Sequence, residues 1–230
     1  MKILALETSS KVASVAILDD NKLLGEYYIN HKRNHSQKLM PIIKNILDDL
    51  EITIDEIDYY AASVGPGSFT GLRIGITTLK GMAFATNKKV VAVDTLDALA
   101  ENIGYTSEII CVLMDARNDQ VYTALYDNGK KVVEDNAITV QELADKLKFL
   151  ENRVIFVGDG AIVHEEYLKS VLHKNCVIAK QKDILPKASS VAQVALKKIK
   201  NGEILGFEEI LPNYLRKSQA EREYEKKHNS

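Results

Sequence analysis

The sequence predicts an α/β protein built as two tandem lobes, and three observations carry that prediction. A pattern of three antiparallel strands, a helix, a strand and a helix can be read twice along the chain. The two readings keep one register: Glu7 and Asp115 end the first strand of each, Asp19 and Asp127 open the first hairpin of each, and both pairs stand 108 positions apart (115 − 7 and 127 − 19). A chain of 230 residues, 46% hydrophobic and 27% charged, is long and apolar enough to bury two such cores.

In the first half, Ile3–Leu6 and Val12–Leu18 are apolar strand runs joined by the polar turn 7–11. Asp19 to Lys22 is a hairpin turn into a third strand, Leu23–Ile29. From Ser36, residues Leu39, Ile42, Ile43, Ile46, Leu47 and Leu50 recur at helical spacing, with Pro41 implying a nearby helix start or a kink. Strand Tyr59–Val64 then meets Gly65-Pro66-Gly67-Ser68-Phe69-Thr70-Gly71, a turn into a helix reaching Ala85. The glycines allow positive φ, and Ser68 or Thr70 is placed to cap the helix. Such a turn points N–H groups outward, as anion sites do. It lacks the G-x-x-x-x-G-K-[ST] pattern of a phosphate loop, so Gly71, Gly75 and Gly81 are expected to serve close backbone approach instead. A strand at Val90–Val93 and a helix opened by Thr95 complete this half.

The second half runs Ile109–Met114, a polar turn, Gln120–Tyr126, the hairpin turn 127–130 and a strand at Lys131–Glu134. A helix over Val140–Leu150, capped by Thr139, leads to strand Val154–Val157 and to Gly158-Asp159-Gly160-Ala161. A last helix is expected over Ala188–Ile199 with Ser189 or Ser190 near its cap and Gly202 past its end. Residues 211–216 read as extended, and 218–230 as a solvated charged tail.

A net charge of -2 gives no global pull toward nucleic acid or anionic membrane, so an RNA partner must be met through a local patch or another subunit. Cys111 and Cys176 sit beside aliphatic residues and read as core thiols of a reducing compartment. Glu7 interrupts the N-terminal apolar run too early for a signal peptide, and no apolar run is long enough to span a bilayer. The expectation is a cytoplasmic protein with no membrane partner.

The doubled topology resembles the actin, Hsp70 and sugar-kinase superfamily, in which two ribonuclease-H-like lobes face each other over a nucleotide cleft. Within it, Ile3–Ser10 (ILALETSS), His35–Ile43 (HSQKLMPII), Val64–Gly75 (VGPGSFTGLRIG), Met114–Tyr122 (MDARNDQVY), Gly158–Ala161 (GDGA) and Pro212–Arg216 (PNYLR) resemble the motifs of the TsaB (YeaZ) family. The duplication sets lobes at 1–103 and 104–217, with the last helix free to pack on the first lobe, and a tail at 218–230. The resemblance implies a role in making threonylcarbamoyladenosine at tRNA position 37. In that family the transfer is catalysed by a paralogue, TsaD. TsaB is the non-catalytic subunit that binds and supports it. A small ATPase, TsaE, joins the complex, TsaB self-associates when alone, and tRNA is reached through the assembly. No cofactor, metal or catalytic residue of its own is implied.

The residues leave two other readings to weigh. Glu7 and Asp115 end equivalent strands and could hold magnesium for an ATP-dependent phosphotransferase, or else satisfy turn backbones. Asp159 would repel a nucleotide phosphate at the GDGA turn. A metallopeptidase would need a metal pair. The one His-x-x-x-His spacing, His31 to His35, lies in a basic loop with Lys32 and Arg33, which oppose a dication. Cys111 has no nearby histidine to activate it. The partner surface is expected on the two helices of the first lobe, whose apolar residues exceed a single stripe: Leu39, Ile42, Ile43, Ile46, Leu72, Ile76 and Leu79.

Overall fold

The computed structural model describes residues 1–30 and 35–216. The first sheet contains β1 (Lys2–Glu7), β2 (Val12–Asp19), β3 (Lys22–Asn30), β4 (Tyr59–Gly65) and β5 (Lys89–Asp94), in the order β3-β2-β1-β4-β5. The hairpin turns make β1, β2 and β3 antiparallel, whereas β4 and β5 run parallel to β1 because helices return the chain between them. Those helices are α1 (His35–Asp49) and α2 (Phe69–Thr86), followed by α3 (Thr95–Glu101).

The second sheet repeats this order. It contains β6 (Ile109–Asp115), β7 (Gln120–Asp127), β8 (Lys130–Thr139), β9 (Val154–Val157) and β10 (Cys176–Ile178), arranged β10-β9-β6-β7-β8. The helices are α4 (Val140–Leu147), α5 (Asp159–Val163), α6 (Glu165–Leu172) and α7 (Ala188–Lys200). Two sheets of identical order and sense bear out the α/β fold of paired ribonuclease-H-like lobes.

Each sheet is buried on both faces, which is why its central strands read as continuous apolar runs rather than alternating ones. Along β1 and β2, one set of side chains (Leu4, Leu6, Val15, Ile17) meets α1 and α2. The other set (Ile3, Ala5, Ala16, Leu18) meets Ala188, Val191, Ala192 and Ala195 of α7. In the second sheet Cys111, Leu113 and Val121 pack under α4 and α6, and Ile110, Val112 and Met114 pack against Leu96 and Leu99 of α3. The helices next to the junction cross between the lobes: α3 follows the first sheet and packs on both, Ala98 against the first and Leu96 and Leu99 against the second, and α7 follows the second but covers the first. They also pack on each other, with Lys197 paired to Glu101 at 2.6 Å.

A strap closes the chain. Leu205 exchanges two backbone bonds with Val90 (3.0 and 2.9 Å), Ile210 is fully buried, and the Asn213 N–H donates to the Val64 carbonyl at 2.7 Å. Arg216 then reaches the second lobe, donating to the Ala116 carbonyl at 3.0 Å.

Several local expectations change. Ser189 and Ser190 do not cap α7 by their own side chains. Residue 187 is the N-cap without a side-chain bond, and the Glu26 carboxylate of β3 arrives instead, accepting from the Ser189 N–H (3.0 Å) and hydroxyl (2.8 Å). A carboxylate at the positive end of a helix outcompetes a hydroxyl there. Strand β8 extends through Asn136 and Ala137 to Thr139, past the expected end at Glu134, because the register slips around Leu125 without breaking. Cys176 is half-buried on an edge strand rather than in a core. The tail from 218 and the first histidine of His31-x-x-x-His35 lie outside the described residues.

Candidate functional site

The turn at Gly65–Gly71 is filled by the chain itself. Gly65 stands at φ +129, and a Cβ there would lie 2.2 Å from the Asn213 carbonyl oxygen. On the first turns of α2, a Cβ at Gly71 would meet the Thr8 carbonyl oxygen at 2.1 Å, and one at Gly75 the Thr8 hydroxyl at 2.3 Å. The β1–β2 turn is therefore pressed onto the helix start. Ser68 N–H donates to the Ser9 carbonyl at 2.6 Å, Thr8 Oγ1 donates to the Gly71 carbonyl at 2.9 Å, and Ser68 Oγ caps by accepting from Gly71 N–H. The Ser68, Gly71 and Leu72 N–H groups are turned to internal partners, and Gly71 and Gly75 serve close approach, whereas Gly81 does not.

Glu7, at the end of β1, is wholly buried. Its carboxylate accepts from the Ser9 N–H (2.6 Å), the Ser9 hydroxyl (2.5 Å) and the Ser63 hydroxyl. Burial raises its pKa, and the bonds from Ser63 and Ser9 oppose that rise. The carboxylate organises a turn and does not face a cleft. Asp115 is exposed and accepts from the Arg117 N–H at 2.8 Å, opening a turn in which Arg117, Asn118 and Asp119 all have left-handed φ (63, 56 and 57). Asp159 accepts from the Asp115 N–H at 3.0 Å, and burial raises its pKa. Glu7 and Asp115 thus do not converge. At the GDGA turn, a Cβ at Gly158 would sit 1.9 Å from the Leu113 carbonyl oxygen, so this glycine also lies tight against its own sheet.

The remaining candidate nucleophile and metal ligands are similarly committed. Burial pushes the Cys111 thiol up to about 12, out of thiolate range, and its nearest polar neighbour is the Thr123 hydroxyl. His35 Nε2 bonds the Ser10 carbonyl at 2.8 Å. Among the described residues no group of three His, Cys, Asp or Glu side chains is placed to hold a metal ion.

A charged cluster occupies the junction of the lobes. Lys131 of β8 bridges Asp97 (2.8 Å) and Asp135 (2.7 Å), and the Tyr126 hydroxyl donates to Asp97 at 2.7 Å. Asp94 caps α3 by accepting from Leu96 N–H at 2.8 Å while bonding Asp135. Burial first, then the neighbouring Asp135 carboxyl, pushes Asp94 up to about 8.

The seven residues expected at a partner surface are all in the first lobe's own core. Leu39, Ile42, Ile43, Ile46, Leu72, Ile76 and Leu79 are 0–4% exposed, and all but Leu72 share one cluster with Leu6, Val15 and Ile57. Two helices must jointly cover a five-stranded sheet, so their apolar arc is wider than one stripe without any surplus. What the helices leave outside is a different set. Met40 is 53% exposed beside Pro41 and Lys44 on α1, and Ile74 and Thr78 are partly covered on α2. At Gly81 a Cβ would meet nothing within 4 Å, and Phe84 is 70% exposed, its edge against Phe207. The signal that could have found them was present: Met40 and Phe84 are large apolar residues one step off the buried stripe.

The family model described as "TsaD: tRNA N6-adenosine threonylcarbamoyltransferase" matches residues 22–224. A Bacillus subtilis protein named tRNA threonylcarbamoyladenosine biosynthesis protein TsaB is 32% identical, covering 96% of each chain. A Pseudomonas aeruginosa crystal structure, described by its similarity to the peptidase YeaZ, superposes with TM-score 0.80 at 29% identity, covering 94% of this chain and 99% of that one. The ethanolamine utilization protein EutJ of Carboxydothermus hydrogenoformans, 11% identical with TM-score 0.56 over 84% of this chain and 89% of its own, shares the fold alone. Whole-length similarity on the same doubled scaffold, with the PNYLR segment forming the strap and the GPGSFTG turn packed shut, leaves one conclusion: the chain belongs to the TsaB (YeaZ) family, within the broader family of TsaD-type proteins.

Proposed function

We propose that this chain is a non-catalytic subunit of the tRNA threonylcarbamoyladenosine system. It binds and supports a catalytic paralogue of the TsaD type through the outer face of α1 and α2. Family membership supports the pathway. The observation that carries the subunit role is the α1–α2 face itself: a partly apolar helix pair with Met40 standing out and an open Gly81, where a second helix can approach closely. The seven buried residues beneath it fix the two helices at one spacing, so the face is presented rigidly. The internal commitments of Glu7, Cys111 and the α2 start supply no reacting groups that would argue for catalysis by this chain. Support then means linkage: a partner that binds this face in its active arrangement has that arrangement populated. A small ATPase of the TsaE type joins the same assembly, and the free chain pairs with itself through the same face.

The test is size-exclusion chromatography with light scattering on the chain with and without its paralogue, followed by a tRNA modification assay of the mixture. Met40→Asp and Gly81→Glu, both outside the core, are expected to abolish the heterodimer and the modification while leaving the thermal midpoint within a few degrees of wild type. Retained modification in both variants would discard this face. Tight Mg-ATP binding by the isolated chain in calorimetry would favour a phosphotransferase instead.

A further inference from the structure

On the flank of α2 away from α1, the helix and the strap enclose an open groove of about 340 Å³. Its floor is Ile76 and Ile210, both nearly or wholly buried, and its wall carries Pro212. Two cations enter it, Arg73 and Lys80. They are seven residues apart on one helix, which separates their origins by about 10 Å along the axis and keeps them on one side.

Both are held in place by neutral partners. The Arg73 guanidinium lies 4.0 Å from the centre of the Phe69 ring, and its Nε donates to the Tyr214 hydroxyl at 3.0 Å. Tyr214 is itself stacked on Phe69, ring centres 4.3 Å apart, and keeps 37% of its surface open. Lys80 Nζ donates to the Glu208 backbone carbonyl at 3.2 Å. Among the described residues neither cation is ion-paired to a carboxylate, although ten other basic side chains are. A guanidinium oriented by an aromatic plane and a hydroxyl has already lost much of the freedom that binding would remove.

We propose that this groove takes the phosphate backbone of an RNA, with a nucleobase or ribose against the open face of Tyr214. This rests on the reading of the chain as a subunit of a tRNA-modifying assembly. It supplies the local patch that a net charge of -2 demands of any RNA-binding surface on this chain. The composition of the groove favours RNA over a protein segment. The floor residues are already covered and offer little apolar area, and a protein anchor needs such area, whereas fixed cations beside an aromatic face suit a phosphodiester chain. The groove opens beside the strap, whereas Met40 of the proposed partner face stands on α1.

The probe is an anticodon stem-loop RNA, titrated by fluorescence anisotropy at several salt concentrations against the wild-type heterodimer and against the free chain. With Arg73→Gln and Lys80→Gln combined, the stem-loop is expected to bind about tenfold more weakly, and the salt dependence of log K to fall by about two. Lys80→Arg should keep wild-type affinity, and heterodimer formation should be unchanged throughout. If the double variant pairs normally and its RNA affinity and salt slope match wild type, the proposal is wrong. It is equally wrong if the variant loses the paralogue and not the RNA, which would make the groove a seat for protein carboxylates. If wild-type chain and paralogue do not associate, the subunit reading fails by itself, and the titration on the free chain still decides the groove.

Discussion

Asp94 shows how one residue sets a pH response. Its pKa is raised above the unfolded value, by burial and by Asp135, so between about pH 4 and pH 8 the folded state binds a proton that the unfolded state does not. Stability therefore falls as pH rises through that window, on the order of 1 kcal/mol per unit while the difference lasts. Asparagine needs no proton, and its side-chain oxygen keeps the cap on Leu96 N–H. Asp94→Asn is expected to stabilise the chain at pH 7.5 by at least about 1 kcal/mol and to give no gain at pH 4. Urea melts at the two pH values check this. Gly71 makes the opposite case. An added methyl would meet the Thr8 backbone oxygen, which has no side-chain freedom to yield, so Gly71→Ala should lower stability by more than about 2 kcal/mol despite alanine's better helix propensity. Gly81→Ala, with open space at its Cβ, should be neutral or stabilising in the same chemical melts. Residues of this kind were partly legible in the sequence: GPGSFTG announced close packing, but nothing local says that Thr8 is what packs there.

Among the elements, the central strands and α1 are readable from their apolar pattern, and α2 and α4 also from caps that are local. Ser68 on α2 and Thr139 on α4 act within three residues of themselves. The start of α7 was not readable, because its cap arrives from 163 positions away in sequence. Glu26 is expected to act there as helix cap and anion at once, and Glu26→Ala should cost about 1–2 kcal/mol. Amide exchange should rise first in residues 188–192, and a variant whose exchange rises uniformly would contradict this role. The helical segment α5 and α6 is implied by the repeat but without bounds, and strand β10 is not legible, since these elements are short and follow a polar turn. That the seven residues expected at a partner surface belong to the core has a related reason. An apolar count along α1 and α2 cannot tell a helix that shares a wide sheet with a neighbour from one that has apolar surface left over.

At the scale of the whole molecule, the doubled pattern gives two sheets and the expected packing of the last helix on the first lobe is met by α7, but the exchange in the other direction, α3 reaching the second sheet, is not legible in it. That exchange makes the boundary expected near residue 103 a boundary of sequence more than of structure. A fragment of residues 1–103 would leave Ile3, Ala5, Ala16 and Leu18 bare, the face that α7 covers. It is expected to be insoluble or to bind ANS without near-ultraviolet dichroism, whereas a well-dispersed NMR spectrum from it would show that α7 is dispensable. The same interlacing has a consequence for the newborn chain. A ribosome releases the first five strands long before residue 200, and at about 5–20 residues per second the wait lasts several seconds or more. Throughout that interval half of the first sheet has no cover of its own. A cell that makes this protein must shield the half-finished product until its last helix emerges.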